Sequence, residues 1–157
     1  MPETTPLRGP LAALLTPRAA DGLVDFEALD RAVEHVLAGG GTGLVLTGGT
    51  GEYFDLDLAA RRRVFERAAA ANRGRLTLVA SVGAGRLEDS VELARHALER
   101  GADLILLPPP HFYRYAQTDL DAFFRAAAAR IPGPLLIYNL APFVSPLEAA
   151  TVVRLIE

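Results

Sequence analysis

A glycine-rich turn is the first segment of this 157-residue sequence whose residues could bind a ligand. It reads Gly48-Gly49-Thr50-Gly51-Glu52 and follows a short apolar run. Glycines let a ligand approach the backbone, and successive amide N–H groups beside a threonine hydroxyl can bind a carboxylate or a phosphate. The turn is not a Walker motif or a Gly-x-Gly-x-x-Gly motif. Because glycine-rich turns are equally common as structural elements, the turn alone does not establish a binding site.

Two other residue types could take part in proton transfer. Tyr138 ends a later apolar run, where its phenol could relay a proton or its ring could simply fill the interior. His111 follows three prolines and is interpreted as a solvated loop histidine rather than a catalytic one. Histidine, aspartate and glutamate show no metal-ligand spacing, and cysteine is absent, so the sequence predicts no metal site.

Arginine accounts for all 16 basic residues, and the sequence contains no lysine. Schiff-base chemistry through an ε-amino group therefore cannot occur within these 157 residues. The run Arg61-Arg62-Arg63 is predicted to form a solvated helix face. A net charge of −3 gives no support to a nucleic-acid or anionic-membrane partner. No apolar stretch is long enough to span a membrane, and no secretory signal pattern opens the sequence, so a cytoplasmic protein is expected.

Five short apolar runs alternate with amphipathic stretches. The strands and helices that they predict must position the candidate site residues. They are near-continuous, as is typical of strands buried on both faces. The runs are Leu11–Leu15, Leu44–Thr47, Leu76–Val82, Leu104–Leu107 and Leu135–Tyr138. The pattern predicts one α/β domain over residues 1–157, with five strand–helix units and a parallel sheet. Both the turn and Tyr138 then lie at the carboxyl ends of strands, where such folds bind ligands.

Capping residues predict where several helices begin. Asp25 and Asp57 each precede an amphipathic stretch and are predicted N-caps. Thr118 with Asp121 resembles a capping box, and Ser145 is predicted to cap the last helix, with Pro146 in its first turn. Periodicity leaves two architectures open. One is a complete doubly wound domain, and the other is part of a (β/α)₈ barrel, which needs about 250 residues.

Taken together, the motifs resemble the dihydrodipicolinate synthase and N-acetylneuraminate lyase family of class I aldolases and dehydratases. The resemblance runs from about Gly9 to Glu157 and depends on the order of several motifs. These are Leu14-Leu15-Thr16-Pro17, Asp21-Gly22, the Gly48–Glu52 turn, Val82-Gly83-Ala84, the prolines before Phe112 with Gln117 beyond them, and Tyr138-Asn139. The family fold is a (β/α)₈ TIM barrel, and the resemblance covers roughly its first half. It implies an incomplete barrel with about five of the eight units.

The resemblance also implies a reaction. A lysine at the end of strand six forms a Schiff base with the keto group of pyruvate or another 2-keto acid. The turn after strand two, here Gly49 and Thr50, binds the carboxylate, and the strand-five tyrosine, here Tyr138, moves protons beside the imine. The lysine position would come after the last residue of this sequence. No metal or organic cofactor is implied, because the imine is the electron sink, and a full-length member is expected to be a homo-oligomer.

Three departures from the family pattern bear on the substrate. Gly49 replaces the first of two hydroxyl residues usual in the synthases, and Phe112 and Phe143 stand where those enzymes carry a tyrosine and an arginine. These departures argue against the lysine-biosynthetic reaction. The turn followed by Tyr53-Phe54 is more similar to 5-dehydro-4-deoxyglucarate dehydratases, whereas the surroundings of Tyr138 resemble generic aldolases of the family.

Two functions outside this interpretation stay open. One is a non-catalytic, stand-alone half-barrel that binds a keto acid or a partner chain. The other is a five-stranded doubly wound domain that binds a phosphorylated ligand. Strand order separates the folds, because a sequential order indicates a barrel and a sheet with strand two outside strand one indicates a doubly wound domain.

Overall fold

The computed structural model describes residues 7–157, so the first six residues of the predicted domain lie outside the described part. The strands are β1 (Leu11–Ala13), β2 (Gly43–Leu46), β3 (Thr77–Ser81), β4 (Leu104–Leu107) and β5 (Leu135–Ile137). The helices are α1 (Phe26–Ala38), α2 (Leu58–Asn72), α3 (Leu87–Glu99), α4 (Gln117–Ala128) and α5 (Ala149–Ile156). A short 3₁₀ helix, Tyr53–Asp55, precedes α2. Every predicted strand is present, with small shifts at the ends.

The sheet is parallel throughout, and its strand order is β1-β2-β3-β4-β5. This sequential order confirms the partial barrel and rules out the doubly wound alternative, because a doubly wound sheet reverses its strand order part-way along the chain. Successive right-handed crossovers in one direction place the helices on one side of the sheet. The other side of the sheet corresponds to the interior of a barrel.

The hydrophobic core lies between the helices and one face of the sheet. Alternate strand residues face it, because side chains along a strand point to opposite sides. The register aligns Leu44 with Leu78 and Ala80 with Ile105, and all four side chains are buried in the core. The helix residues that pack in the same core include Leu29, Val33, Phe65, Leu93 and Phe124. Because the strands are parallel, the carboxyl ends of β2 to β5 lie at one edge of the sheet.

Two of the predicted helix starts are confirmed by their side-chain geometry. The Asp25 carboxylate accepts a hydrogen bond from the Ala28 amide at 2.9 Å, and that of Asp57 accepts one from the Ala60 amide at 2.6 Å. Each bond satisfies an amide that has no partner inside its helix.

The two other predicted caps are wrong. α4 begins one residue before Thr118, and the Asp119 carboxylate accepts from the Ala116 amide at 3.1 Å. α5 begins after Glu148, while the Ser145 hydroxyl accepts from the Tyr115 amide at 2.9 Å. Ser145 therefore connects two loops rather than capping its own helix, and this long-range partner was not visible in the local sequence.

No helix in the described residues is long and apolar enough to cross a membrane.

Candidate functional site

The loops that follow the carboxyl ends of β2 to β5 enclose a cavity of about 470 Å³. Its polar and glycine lining residues are Gly49, Thr50, Tyr53, Ser81, His111 and Tyr138. Its apolar lining residues are Phe54, Pro108, Leu140, Phe143 and Val144. The structure thus places the three predicted site residues, Gly49, Thr50 and Tyr138, on the wall of one cavity, although β2 and β5 are not neighbours in the sheet.

The glycine-rich turn is held from both sides by threonine hydroxyls. Thr16 donates to the Gly51 carbonyl at 2.7 Å, and Thr47 donates to the Ser81 carbonyl at 2.9 Å. A Cβ on Gly51 would lie only 3.1 Å from both the Leu14 carbonyl oxygen and the Thr47 Cα, so a side chain here would require the neighbouring backbone to shift by a few tenths of an ångström. Thr16 belongs to the Leu14-Leu15-Thr16-Pro17 motif. Its hydroxyl therefore has a structural role, because it holds the glycine-rich turn in place.

Open space lies beside the part of the turn that faces the cavity. Gly49 and Thr50 are exposed, and a Cβ on Gly49 would meet no atom within 4 Å. A ligand carboxylate can therefore approach the backbone at Gly49 and the side chain at Thr50. The glycine at this position widens the approach, as expected where a backbone must come close to a ligand.

Tyr138 reaches the same cavity from the end of β5. Its amide donates to the Leu107 carbonyl at 3.0 Å and extends the pairing of β4 with β5, while its side chain is 38% exposed. The adjacent Asn139 is structural, because its side-chain amide bonds both the carbonyl and the amide of Leu147, at 2.9 and 3.0 Å. The Tyr-Asn pair thus combines a residue of the cavity with one that holds the following loop.

Arg61 lies beneath the cavity, and its burial was not predicted from the sequence. The predicted solvated face Arg61-Arg62-Arg63 is wrong for Arg61, which is only 2% exposed. Its two terminal nitrogens donate to the Gly83 and Ser81 carbonyls, each at 2.7 Å. Arg62 pairs with Glu92, and the Arg63 guanidinium lies over the Phe26 ring. The helical spacing contained a signal, because Arg61 lies one turn before the buried Val64 and Phe65.

Burial shifts the titration of Arg61 and of its neighbour Tyr53. Burial lowers the pKa of the Arg61 guanidinium to about 10, and attraction to the Tyr53 phenolate partly opposes this change. Burial likewise raises the pKa of the Tyr53 phenol to about 12, against the lowering effect of Arg61. At neutral pH the guanidinium is charged and the phenol is protonated. No carboxylate of residues 7–157 forms an ion pair with Arg61.

His111 is another correction to the sequence interpretation. Its side chain is only partly exposed, and its Nδ1 is buried without a hydrogen-bond partner within residues 7–157. Its ring packs edge-on against Phe54, with the ring centroids 5.0 Å apart. Burial lowers the pKa of His111, because the charged imidazolium loses hydration there.

The two phenylalanines that depart from the family pattern have different positions. Phe143 lines the cavity, whereas Phe112 does not and is 89% exposed. Within the described residues, no group of three or more histidine, aspartate or glutamate side chains could hold a metal ion.

Comparison with known proteins shows the family to which the chain belongs. The model of the dihydrodipicolinate synthetase family matches residues 6–157. The chain belongs to this family. This chain is 37% identical to the 4-hydroxy-tetrahydrodipicolinate synthase of Acidiphilium cryptum over 150 residues. The match covers 95% of this chain and 51% of that protein.

Solved structures of the dihydrodipicolinate synthase family have the same fold. The chloride-inhibited dihydrodipicolinate synthase of Acinetobacter baumannii, complexed with pyruvate, matches with a TM-score of 0.90 and 31% identity over 95% of this chain and 52% of that one. N-acetylneuraminate lyase from Mycoplasma synoviae matches with a TM-score of 0.84 and 28% identity over 93% of this chain and 50% of that one. The chain therefore spans about half the length of the relatives it matches.

Proposed function

We propose that this chain forms the 2-keto-acid-binding part of a lyase that works through a Schiff base. The observation that carries the proposal is the shared cavity, in which the turn at Gly49 and Thr50 faces the same space as the Tyr138 side chain. The relative from Acinetobacter baumannii was solved with pyruvate, which is a 2-keto acid. Family membership and site geometry thus support the same class of substrate.

The carboxylate of the keto acid binds at the glycine-rich turn in this proposal. The Thr50 hydroxyl and the backbone amides at Gly49 and Thr50 are the donors. Arg61 adds positive potential from below, because its buried guanidinium bonds only carbonyl oxygens and has no carboxylate partner in the described residues. A charge in such a poorly hydrated position acts on a nearby anion more strongly than it would in water.

Tyr138 has the second role in the proposal. Its phenol moves a proton at the atom next to the imine, and it needs only the hydroxyl to do so. The imine nitrogen comes from a lysine outside this sequence, since these 157 residues contain none. The imine withdraws electrons by itself, so the proposed reaction uses no organic cofactor. A homo-oligomer is proposed for the full-length enzyme by resemblance to its family.

A non-catalytic role in binding keto acids is the second candidate function. The cavity geometry favours it, because the turn at Gly49 and Thr50 can bind a carboxylate without an imine-forming residue. Both candidates require that the turn bind a 2-keto acid. Within the first candidate function, two reactions remain options. The Gly48–Glu52 turn is similar to that of 5-dehydro-4-deoxyglucarate dehydratases, which favours dehydration. The surroundings of Tyr138 resemble generic aldolases of the family, which favours aldol chemistry.

Titration with pyruvate tests the proposed binding site. We expect Thr50→Val to weaken pyruvate binding about 10- to 150-fold, because a hydrogen bond to a charged group contributes about 1.5–3 kcal/mol. Ligand-observed NMR measures the affinity. Thr118→Val is the matched control, since Thr118 is exposed on α4 and does not line the cavity. Equal affinities for the Thr50→Val variant and the unmodified chain would contradict the proposed site.

A further inference from the structure

The cavity wall outside the glycine-rich turn is mostly apolar. Phe54, Pro108, Leu140, Phe143 and Val144 contribute side chains to it. Among the described residues, no aspartate, glutamate or arginine lines the cavity. Among the described residues, a part of the substrate that extends beyond the turn therefore contacts mostly hydrocarbon and aromatic rings.

The groups that could carry a positive charge near this wall are not available to a ligand. Burial lowers the pKa of the His111 imidazole and so disfavours its charged form. The terminal nitrogens of Arg61 are both bonded to the Ser81 and Gly83 carbonyls, and its side chain is almost completely buried. Arg61 can attract one anion through space, but it cannot bond a second one at the apolar wall.

We infer that the site selects a 2-keto acid whose remaining substituent is uncharged and apolar, and that it discriminates against one with a second carboxylate. The inference rests on the proposed function, because it assumes that the keto-acid carboxylate occupies the turn at Gly49 and Thr50. A second carboxylate against the apolar wall would lose part of its hydration without gaining a charged partner among the described residues. An alkyl substituent would instead gain from removing its surface from water. Sugar dicarboxylates are therefore poor ligands of this site.

Two keto acids with the same carbon chain provide the test. 2-Oxopentanoate ends in a methyl group where 2-oxoglutarate ends in a carboxylate, so the pair differs only in the charged group. We expect the chain to bind 2-oxopentanoate about tenfold or more tightly than 2-oxoglutarate in NMR titrations at neutral pH. Pyruvate, which has no extended substituent, serves as the reference ligand for the turn.

A cation placed on the wall should remove the selectivity. Phe143→Arg adds a guanidinium at a cavity position that is 76% exposed, so the substitution does not disturb the core. We expect the ratio of the two affinities to fall to about one, because the second carboxylate gains a partner. Leu23→Arg is the matched control, since Leu23 is 68% exposed and does not line the cavity, and it should keep the tenfold ratio.

The outcomes separate this inference from the proposed function. Equal binding of the two acids by the unmodified chain, together with Thr50-dependent binding of pyruvate, overturns the inference and leaves the proposed function intact. Selectivity that persists in Phe143→Arg also overturns it, because the apolar wall would then not be its source. Failure of pyruvate to bind, or binding that does not depend on Thr50, overturns the proposed function and the inference with it.

Discussion

The guanidinium carbon of Arg61 lies 5.1 Å from the centroid of the Tyr53 ring. The same guanidinium bonds the Gly83 carbonyl, and the Tyr53 hydroxyl lies 3.4 Å from the position that a Cβ on Gly83 would take. Arg61 thus joins α2, the turn after β2 and the loop after β3 beneath the cavity. Tyr53 and Ser81, which Arg61 contacts, both line the cavity.

Arg61→Lys tests how far this contact stabilises the fold. Lysine keeps the charge but lacks the planar fork of donors, so the Ser81 and Gly83 carbonyls cannot both keep a close partner. We expect the free energy of unfolding to fall by about 1.5–3 kcal/mol, the usual contribution of a hydrogen bond to a charged group. Urea denaturation measures it. Arg62→Lys is the control, and we expect a change below about 0.5 kcal/mol because its ion pair with Glu92 is partly exposed. Equal losses would show that burial of Arg61 is unimportant.

The Tyr53–Arg61 pair predicts an unusual dependence of stability on alkaline pH. The pKa of Tyr53 is raised to about 12. The contribution of the protonated phenol to the free energy of unfolding is therefore complete below the ordinary tyrosine pKa near 10, and it is lost as the pH rises toward 12. The pKa of Arg61 is lowered to about 10, so the folded state releases this proton before the unfolded state does, and stability increases over the same interval. The two effects oppose each other in the unmodified chain.

Tyr53→Phe removes the part of this balance that lowers stability at alkaline pH. Between about pH 10 and about pH 12, we expect the free energy of unfolding of the variant to rise relative to that of the unmodified chain by about 2–3 kcal/mol. Denaturation curves at several pH values provide the measurement. Tyr113→Phe, at an exposed tyrosine, should follow the unmodified chain. Parallel curves for Tyr53→Phe and the unmodified chain would argue against a shifted pKa.

Gly83 is predicted to tolerate no side chain. A Cβ there would lie 2.5 Å from Pro108 Cγ and 2.9 Å from Pro108 Cδ, and a proline ring cannot rotate away. Gly83→Ala should therefore lower the free energy of unfolding by about 1–3 kcal/mol, as overpacking does. At Gly85, two residues along, a Cβ would meet nothing within 4 Å, so Gly85→Ala should be neutral or slightly stabilising. Thermal unfolding of the two variants compares them directly, and a harmless Gly83→Ala would contradict the predicted clash.

Borohydride trapping tests the chemical consequence of the missing lysine. We expect pyruvate and borohydride to leave no adduct on any internal residue of this chain, because none of its side chains forms a stable imine. Mass spectrometry after proteolysis separates internal adducts from one on the terminal amine. A full-length family aldolase with its lysine is the positive control. An internal adduct would refute the prediction.

Local sequence information was sufficient for the elements and for part of the site. The near-continuous apolar runs located all five strands, although β1 and β5 are only partly buried in the described part of the chain. Asp25 and Asp57 were identified as caps because a cap bonds an amide only a few residues away. The glycine-rich turn and Tyr138 were recognised as candidates because both follow strands, and the carboxyl ends of parallel strands share one edge of the sheet.

Tertiary structure decided what depends on contacts between distant segments. Strand order separated the barrel from the doubly wound fold, because the pairing partners of a strand are not encoded in its own residues. Ser145 was predicted to be a cap but bonds Tyr115, 30 residues away in sequence. Arg61 was predicted to be solvated but is buried, because the carbonyls that replace its water belong to the loop after β3. A charged side chain is buried only where the folded chain supplies such partners, and their positions exist only after the sheet and helices have assembled.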